Sequence, residues 1–350
     1  MDADVAIVGG GPAGCAAALA LAAEKLSVAV VDAGTRLAKP TETAAPHLRR
    51  LLVDLGVQHA LAACEPCLGI AARWGRRLAF QPGMLSPFGH GWFVHRARFD
   101  RSLQQAARGA GIVWLSARAA HIDFHPPGAS VELTNGETLR ARWLVLATGS
   151  PSWPAKLTAQ ERLNLDPMLA FWCALPGPLD ERLIHVEASE HGWWYLCPGE
   201  NGVTFACFMT DLESARTFKP LRAGRWRVLF ESTELSRLAG KPSPVAVKAM
   251  PTGVAALRSP SGRNWTAVGD AAIRLDPIGS SGLCSALEGG RRAGAAIAAA
   301  LQGKEAALDG YRRWAAGLLK DFMRQRSAHY AVEAGLRGSA FWRARLRAAA

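Results

Sequence analysis

The sequence contains no apolar run long enough to cross a membrane, because none reaches about 18 residues free of charge. Its alanine-rich stretches, 15–23 and 293–301, are too short to span a bilayer. No signal peptide precedes the first motif, and the seven cysteines are an odd number in a long chain. These absences predict a soluble protein of a reducing, cytoplasmic compartment, with no stable membrane anchor.

The sequence also lacks the cysteine and histidine spacing of a zinc site. Cys64 and Cys67 form a single CxxC, with neither a second pair nor a histidine at zinc spacing. We therefore predict no bound metal and interpret the pair as structural, with a redox pair as the alternative.

Acidic residues are scarce relative to basic ones, since 29 Asp and Glu face 41 Lys and Arg and the net charge is +12. The excess is concentrated in residues 311–350, which hold nine basic and two acidic side chains. Aromatic residues recur through the same segment, which is typical of a packed helical cap with a solvated basic face. The alternative is a docking surface for an acidic partner protein; we predict no nucleic-acid binding.

Residues 4–32 predict a βαβ unit that binds a dinucleotide. Asp4–Val8 is a buried strand, 15–23 a small-residue helix, and 27–32 a second strand. Between the first strand and the helix, residues 9–14 read GGGPAG and satisfy GxGxxG. Gly9 permits the tight turn, Gly11 the approach of a diphosphate and Gly14 close packing of the helix. Asp32 ends the second strand, where it can accept hydrogen bonds from ribose hydroxyls.

Past this unit, short strands dominate until the parallel pattern resumes near residue 266. A strand at 143–149 ends in Thr148 and Gly149, after a hairpin that turns at Asn135 and Gly136. Strand-like pieces then follow at 183–186, 193–196, 203–209 and 245–248. Residues 266–272 predict a strand that opens into a loop containing Gly269 and Asp270, followed by a helix over 283–301.

These three elements in this order resemble the flavoprotein superfamily that includes aromatic hydroxylases, flavin-dependent halogenases and geranylgeranyl reductases. The resemblance implies an α/β fold: a Rossmann-type FAD-binding domain, an inserted mixed or antiparallel β-sheet domain for substrate, and a C-terminal helical cap. It places the FAD-binding domain at 1–75, 95–150 and 250–305, the substrate domain at 76–94 and 151–249, and the basic helical region at 306–350.

The resemblance also implies which residues contact FAD. The N-terminal loop would hold the ADP half, the Gly269–Asp270 turn the ribityl chain, and Arg96, which opens a helix, the diphosphate. The full set of expected cofactor residues is Gly9, Gly11, Pro12, Ala13, Gly14, Asp32, Arg96, Ala119, Gly149, Gly269, Asp270, Pro277, Ser281, Gly282 and Leu283.

Halogenation is disfavoured within this superfamily because halogenases use a lysine that follows the segment matched here by residues 41–46 (TETAAP). This chain has no lysine between Lys39 and Lys156. The strings RWG at 73–75, GWWY at 192–195 and FMTD at 208–211 are similar to the flavoproteins that mature tryptophylquinone enzymes. That branch oxygenates a tryptophan of a partner protein, which gives the basic tail a possible docking use.

The chemistry implied is that of an FAD-dependent monooxygenase, reduced by NAD(P)H or by a separate flavin reductase. Glu42 is the candidate catalytic carboxylate, expected to have a raised pKa near the flavin; its alternative is a surface loop acid. Trp193 and Tyr195 alternate onto one face of a strand and are candidates for the substrate pocket. Alternatives are a small-aromatic hydroxylase, a reductase of the geranylgeranyl type, and a binding module that keeps FAD as structure.

Overall fold

The computed structural model describes residues 1–34, 41–85, 89–150, 152–179, 181–222, 224–239 and 246–347. In these ranges the strands are β1 (Asp2–Val8), β2 (Val28–Val31), β3 (Thr41–Ala44), β4 (Cys64–Cys67), β5 (Gly69–Arg73), β6 (Leu78–Pro82), β7 (Gly91–His95), β8 (Val113–Leu115), β9 (Ala119–His125), β10 (Gly128–Leu133), β11 (Thr138–Leu146), β12 (Arg162–Pro176), β13 (Leu183–Ser189), β14 (Gly192–Pro198), β15 (Val203–Asp211), β16 (Lys248–Leu257), β17 (Ser261–Gly262), β18 (Trp265–Ala267) and β19 (Ile273–Arg274).

The α-helices connect and cover these strands. They are α1 (Pro12–Ala23), α2 (Leu48–Asp54), α3 (Arg96–Gly109), α4 (Ser152–Leu157), α5 (Leu212–Phe218), α6 (Arg225–Glu231), α7 (Gly282–Leu301), α8 (Ala307–Ala334) and α9 (Ala340–Arg347). Within the described part of the chain, no helix is both long and apolar enough to cross a membrane.

The first sheet has a parallel centre. Its order is β17-β18-β11-β1-β2-β8, in which β18, β11, β1, β2 and β8 run parallel, while β9 and β10 add an antiparallel hairpin to β11. Residues on both faces of β1 are fully buried, as parallel sheets covered by helices require. This is the nucleotide-binding architecture that the βαβ pattern predicts.

Small residues let two helices approach closely on one face of this sheet. A Cβ on Gly290 of α7 would lie 2.2 Å from the carbonyl oxygen of Ala13, and one on Gly294 would lie 2.7 Å from the Cβ of Ala20. Helix α8 joins the same layer, where the Tyr311 hydroxyl donates to the Ala267 carbonyl at 2.7 Å. The loop before α1 and the turn before α7 are thereby fixed against each other.

The second sheet has the order β19-β16-β12-β15-β14-β13-β5-β6 and is antiparallel except for the β13–β5 pair. A third sheet, β3-β7-β4, is antiparallel throughout. The predicted fold, a Rossmann-type unit with a mixed sheet and a helical C-terminal cap, is confirmed. The domain boundaries stay a prediction, although β5 and β16, inside the predicted FAD-binding ranges, pair within the second sheet.

One predicted strand is misplaced. The piece at 245–248 was expected to end at Lys248, but the strand begins there and continues to Leu257, while Val245 lies outside the described residues. Pro251 and Gly253 lie in the middle of β16. Both residues are unfavourable in strand interiors, so the sequence pattern there does not predict a strand. The partner strand shifts register between Asn164 and Asp166, an irregularity opposite this part of β16.

Candidate functional site

The glycines of the loop between β1 and α1 have two different roles. Gly9 has φ +111°, and a Cβ on it would lie 2.3 Å from the Ala147 carbonyl oxygen. A Cβ on Gly14 would lie 1.9 Å from the Gly9 carbonyl oxygen. Gly11, the N-cap of α1, has open space before it, since a Cβ there meets no atom within 4 Å. Gly9 and Gly14 are thus required by packing, and Gly11 leaves room for an anion at a helix N-terminus.

Asp32 lies directly beside this loop, just past the end of β2. Its Oδ2 accepts from the Gly10 N–H at 2.6 Å and its Oδ1 accepts from the Gly34 N–H at 2.8 Å. The residue is 8% exposed and lines the large cavity described below. Two backbone donors therefore fix the carboxylate in the orientation from which it can accept from a ribose.

Arg96 begins α3 in the cavity wall, and carboxylates bind its guanidinium. Its Nε and Nη2 each donate to Asp100 at 3.0 Å, and its Nη1 donates to Glu42 Oε1 at 2.5 Å. Burial alone would lower the pKa of Arg96, but the charges of Glu42 and Asp100 outweigh it and raise the pKa. The predicted helix start is in place, with an ion pair to Glu42 that the sequence did not reveal.

Glu42 lies on β3 and is neither a surface loop acid nor an isolated buried carboxyl. Its side chain is 34% exposed and borders the cavity beside Thr43. Its Oε1 accepts from buried Arg96, so an ion pair holds the carboxylate at the cavity wall. The catalytic role of Glu42 stays a prediction.

The turn before α7 lines the same end of the cavity as the glycine loop. Gly269 has φ +58°, and a Cβ on it would lie 2.7 Å from the Ala13 Cβ, so this turn contacts the glycine loop. Asp270 follows it in the cavity lining. Further on, Ser280 has φ +46°, and its hydroxyl is 2.7 Å from the Thr43 hydroxyl. Two glycine turns distant in sequence therefore meet across one site.

A cavity of about 690 Å³ extends from these turns to the second sheet. This volume lies in the range of about 300–1,000 Å³ typical of ligand sites. The expected cofactor residues that line it are Gly9, Gly11, Pro12, Ala13, Asp32, Arg96, Gly149, Gly269, Asp270, Pro277, Gly282 and Leu283. Its open helix N-terminus, fixed Asp32 acceptor and Asp270 carboxylate fit the diphosphate, ribose and ribityl groups of FAD.

Three expected cofactor residues lie outside this lining. Gly14 packs against Gly9 behind the loop. Ala119 begins β9 and pairs with Leu133, away from the cavity. The Ser281 hydroxyl is buried and has no hydrogen-bond partner among the described residues. Ala119 was expected to contact FAD because it follows a strand. That position does not determine the direction of the next strand.

Aromatic side chains from the second sheet line the far part of the cavity. Trp193 and Tyr195 of β14 do so, with their rings 6.1 Å apart, whereas Trp194 packs on the other face of the sheet against Phe208. Trp74 and Trp172, for which no pocket role was predicted, line the same region. The cavity therefore joins a nucleotide-type loop to an aromatic chamber.

A buried network from the C-terminal helices supports the loop at residues 276–280. Asp276 Oδ1 accepts from the Ile278 N–H at 3.0 Å, while its Oδ2 accepts from Arg326 Nε at 2.7 Å and from the Tyr330 hydroxyl at 2.9 Å. The same hydroxyl accepts from Trp193 Nε1 at 2.9 Å. Burial raises the pKa of Tyr330 well above its usual value, so the phenol stays protonated. Asp276 thus links the loop to the aromatic chamber.

This network changes the interpretation of the basic tail. Arg326 and Arg345 are 1% and 2% exposed, and both pair with the buried Asp166. Arg324 and Arg343 remain exposed. Arg326 and Arg345 of the basic tail are therefore internal, and an acid distant in sequence neutralises them. The tail is a packed helical cap rather than a uniformly basic surface.

Cys64 and Cys67 of the CxxC pair begin and end β4. All seven cysteines are free, and the described residues contain no cluster of three or more metal-binding side chains. Burial raises the pKa of the Cys64 thiol to about 12. The Cys67 thiol points to the Gly69 carbonyl at 3.4 Å.

The chain has the fold of the FAD-dependent monooxygenases and halogenases. It is similar to the structure of QhpG, a peptidyl tryptophan dihydroxylase essential for tryptophylquinone cofactor biogenesis (TM-score 0.84, 23% identity, 99% of this chain and 79% of that one). It is equally similar in fold to CmlS, a flavin-dependent halogenase (TM-score 0.86, 21% identity, 99% and 68%). The predicted recognition of this superfamily is confirmed.

Comparison with curated sequences and family models agrees. A putative FAD-dependent oxidoreductase, LodB of Marinomonas mediterranea, is 25% identical over 80% of each chain. A menaquinone reductase of Mycobacterium tuberculosis is 28% identical over 83% of this chain and 76% of its own. The family model described as lycopene cyclase protein matches residues 4–163. These similarities agree with the predicted class, an FAD-dependent oxidoreductase.

Proposed function

We propose that this chain is an FAD-dependent monooxygenase that oxygenates a tryptophan side chain of a partner protein during quinone cofactor maturation. The observation that carries the proposal is the single cavity with dinucleotide-binding turns at one end and Trp74, Trp172, Trp193 and Tyr195 at the other. The names of the similar proteins support it, since LodB is an FAD-dependent oxidoreductase and QhpG a peptidyl tryptophan dihydroxylase.

In this proposal the first function of the chain is to hold FAD across the cavity. The N-terminus of α1 would hold the diphosphate, Asp32 the adenosine ribose and Asp270 the ribityl chain. Residues 277–283 would hold the ring system. Reduced FAD supplies the activation of dioxygen, from which one oxygen atom enters the substrate and the other leaves as water. The electrons come from NAD(P)H or from a separate flavin reductase.

The remaining residues orient the substrate ring and manage its proton. Trp193 and Tyr195 offer faces and edges against which an indole can pack, and Trp193 is fixed by its hydrogen bond to Tyr330. Apolar neighbours such as Ile70, Val186 and Met209 exclude water from the same region. Glu42 is the carboxylate placed to accept the proton lost from the attacked ring carbon.

The test uses isotopic oxygen. The purified protein, FAD, NAD(P)H with a flavin reductase, and a co-purified partner protein are incubated under ¹⁸O₂, and the partner is analysed by peptide mass spectrometry. We expect the heavy isotope on a tryptophan, and none from H₂¹⁸O in a parallel sample. A partner whose tryptophans remain unmodified while FAD is reduced and reoxidised would contradict the proposal.

Reduction of an isoprenoid quinone is the second candidate function. The menaquinone reductase relative and the apolar residues of the cavity favour it. Such a reductase would saturate a double bond under anaerobic conditions, whereas a monooxygenase requires dioxygen. Halogenation is less favoured, because none of the described residues that line the cavity is a lysine.

A further inference from the structure

The last strand of the second sheet, β6, has an outer edge with which no described residue pairs. Among the described residues β6 pairs only with β5, in register from Gly69 opposite Pro82 to Arg73 opposite Leu78. Edge strands are ordinarily protected by charges, proline, a bulge or a covering element. β6 carries none of these before its final residue. Its Leu78 and Phe80 are each 58% exposed.

This edge lies beside the aromatic chamber. Ile70 and Ala72 of β5 line the cavity, and so does Gln81 of β6 itself. Trp74, which follows β5, lines it as well. A chain laid along the outer edge of β6 would therefore lie beside a strand that itself contributes to the cavity wall.

Three arginines lie at the turn between β5 and β6. Arg73, Arg76 and Arg77 are exposed, and none forms an ion pair with a described residue. Of the C-terminal arginines, Arg326 and Arg345 are buried and paired with Asp166, whereas Arg343 is exposed. The exposed arginines nearest to β6 in the chain are those of the β5–β6 turn.

We propose that the outer edge of β6 is the docking site of the protein substrate. An extended acidic segment adds as a further strand, its backbone pairing with residues 78–82, its apolar side chains covering Leu78 and Phe80, and its carboxylates facing the arginines. This mode of recognition uses backbone hydrogen bonds for affinity and side chains for specificity. It rests on the proposed function, since it states how a protein substrate reaches the chamber.

An extended peptide fits the observations better than a membrane surface. Exposed leucine and phenylalanine beside arginine suit an anionic bilayer as well, but lipids do not use a row of free strand N–H and C=O groups. The test must therefore separate backbone pairing from simple apolar and charge attraction.

The experiment measures binding of a fluorescein-labelled 12-residue peptide to the full chain loaded with FAD. The peptide contains one central tryptophan flanked by Asp, Glu, Val and Thr; a second copy is N-methylated at alternate residues, which removes strand donors and keeps every side chain. The variants are Phe80→Lys and, as a matched control, Val228→Lys on α6, where Val228 is also 58% exposed.

We expect Phe80→Lys and N-methylation each to weaken peptide binding at least tenfold, while Val228→Lys stays within twofold of the parent. Circular dichroism and FAD content verify that all proteins are folded and loaded. Equal binding by Phe80→Lys and the parent, or equal binding of the two peptides, would overturn the docking site. The docking site would also be overturned if the parent binds phosphatidylglycerol vesicles but no peptide, and Phe80→Lys abolishes the vesicle binding.

This outcome is separable from failure of the proposed function. Peptide binding is measured without turnover, whereas oxygenation is read from isotope incorporation. Edge-dependent binding without incorporation would retain the docking site and remove the monooxygenase assignment. Isotope incorporation that is unaffected by Phe80→Lys would remove the docking site and retain the monooxygenase assignment.

Discussion

Replacing Arg326 by methionine should destabilise the protein strongly, because the arginine is the central cation of a buried network. Its side chain is fully buried, its Nε is 2.7 Å from Asp276 Oδ2, and its Nη2 donates to Asp166. Methionine fills a comparable length of the space but brings no charge. Two carboxylates would be left in the interior, with Arg345 remaining on Asp166 and only neutral donors on Asp276.

The magnitude follows from the burial. Removing one partner of a buried ion pair costs about 3–5 kcal/mol, mostly because the other charge stays uncompensated. An unfolding entropy of about 2.1 cal/mol/K per residue gives about 0.7 kcal/mol/K for this 350-residue chain, so Tm should fall by roughly 4–7 °C. Arg324→Met is the control two residues away on the same helix. Arg324 is 76% exposed and pairs with Asp321 at 3.2 Å, an arrangement worth about 0–1 kcal/mol.

The assay is thermal unfolding by circular dichroism, with flavin fluorescence recorded in parallel to detect release of FAD. Because Asp276 holds the loop at 277–280, flavin release should precede or accompany unfolding in Arg326→Met. Adding Asp276→Asn to Arg326→Met should recover part of the lost stability, because it removes the carboxylate that has lost its cation. Equal Tm values for Arg326→Met and Arg324→Met would refute the assignment of the network as a structural support.

Three further outcomes test the site. Gly11→Val should fold with a parental circular dichroism spectrum yet retain no FAD, because its side chain enters the open space before α1, whereas Gly14→Val should fail to fold; a yellow Gly11→Val protein would contradict this. Asp270→Ala should raise the Kd for FAD, measured by fluorescence titration of apoprotein, more than Asp32→Asn does, and equal values would remove the distinction. Native protein at pH 8 should react slowly with Ellman's reagent even at Cys64, whose thiol pKa burial raises to about 12, and fast labelling of several thiols before denaturation would show that these cysteines are accessible.

Local sequence patterns predicted the glycine turns well, because each follows from a few adjacent residues. The turn at Gly9 and the start of α3 at Arg96 are examples, and the alternation of β14 placed Trp193 and Tyr195 on one face and Trp194 on the other. The structure also separates the roles of the glycines in this motif. A Cβ on Gly11 meets no atom within 4 Å, so we expect a substitution there to act on the cofactor, whereas Gly9 and Gly14 are required by packing.

The interactions that were not predicted join residues far apart in the chain. Arg326 and Asp166 are separated by 160 positions, and a count of charges along the sequence cannot reveal that one neutralises the other. The pairing of Arg96 with Glu42 across 54 positions was hidden for the same reason. β16 was missed because Gly253 at φ +84° is unusual for a strand, although a Cβ there would lie 2.2 Å from the Asp166 carbonyl oxygen and only glycine fits.

The cofactor content of the purified protein tests the central claim most directly. Absorbance of the native protein and chromatography of the released cofactor should give an equimolar amount of FAD, either as isolated or after incubation with FAD and removal of the excess. Gly11→Val should give none under the same treatment while keeping the Tm of the parent protein freed of FAD. A folded parent protein that binds no FAD would contradict the account of two glycine turns holding one flavin nucleotide.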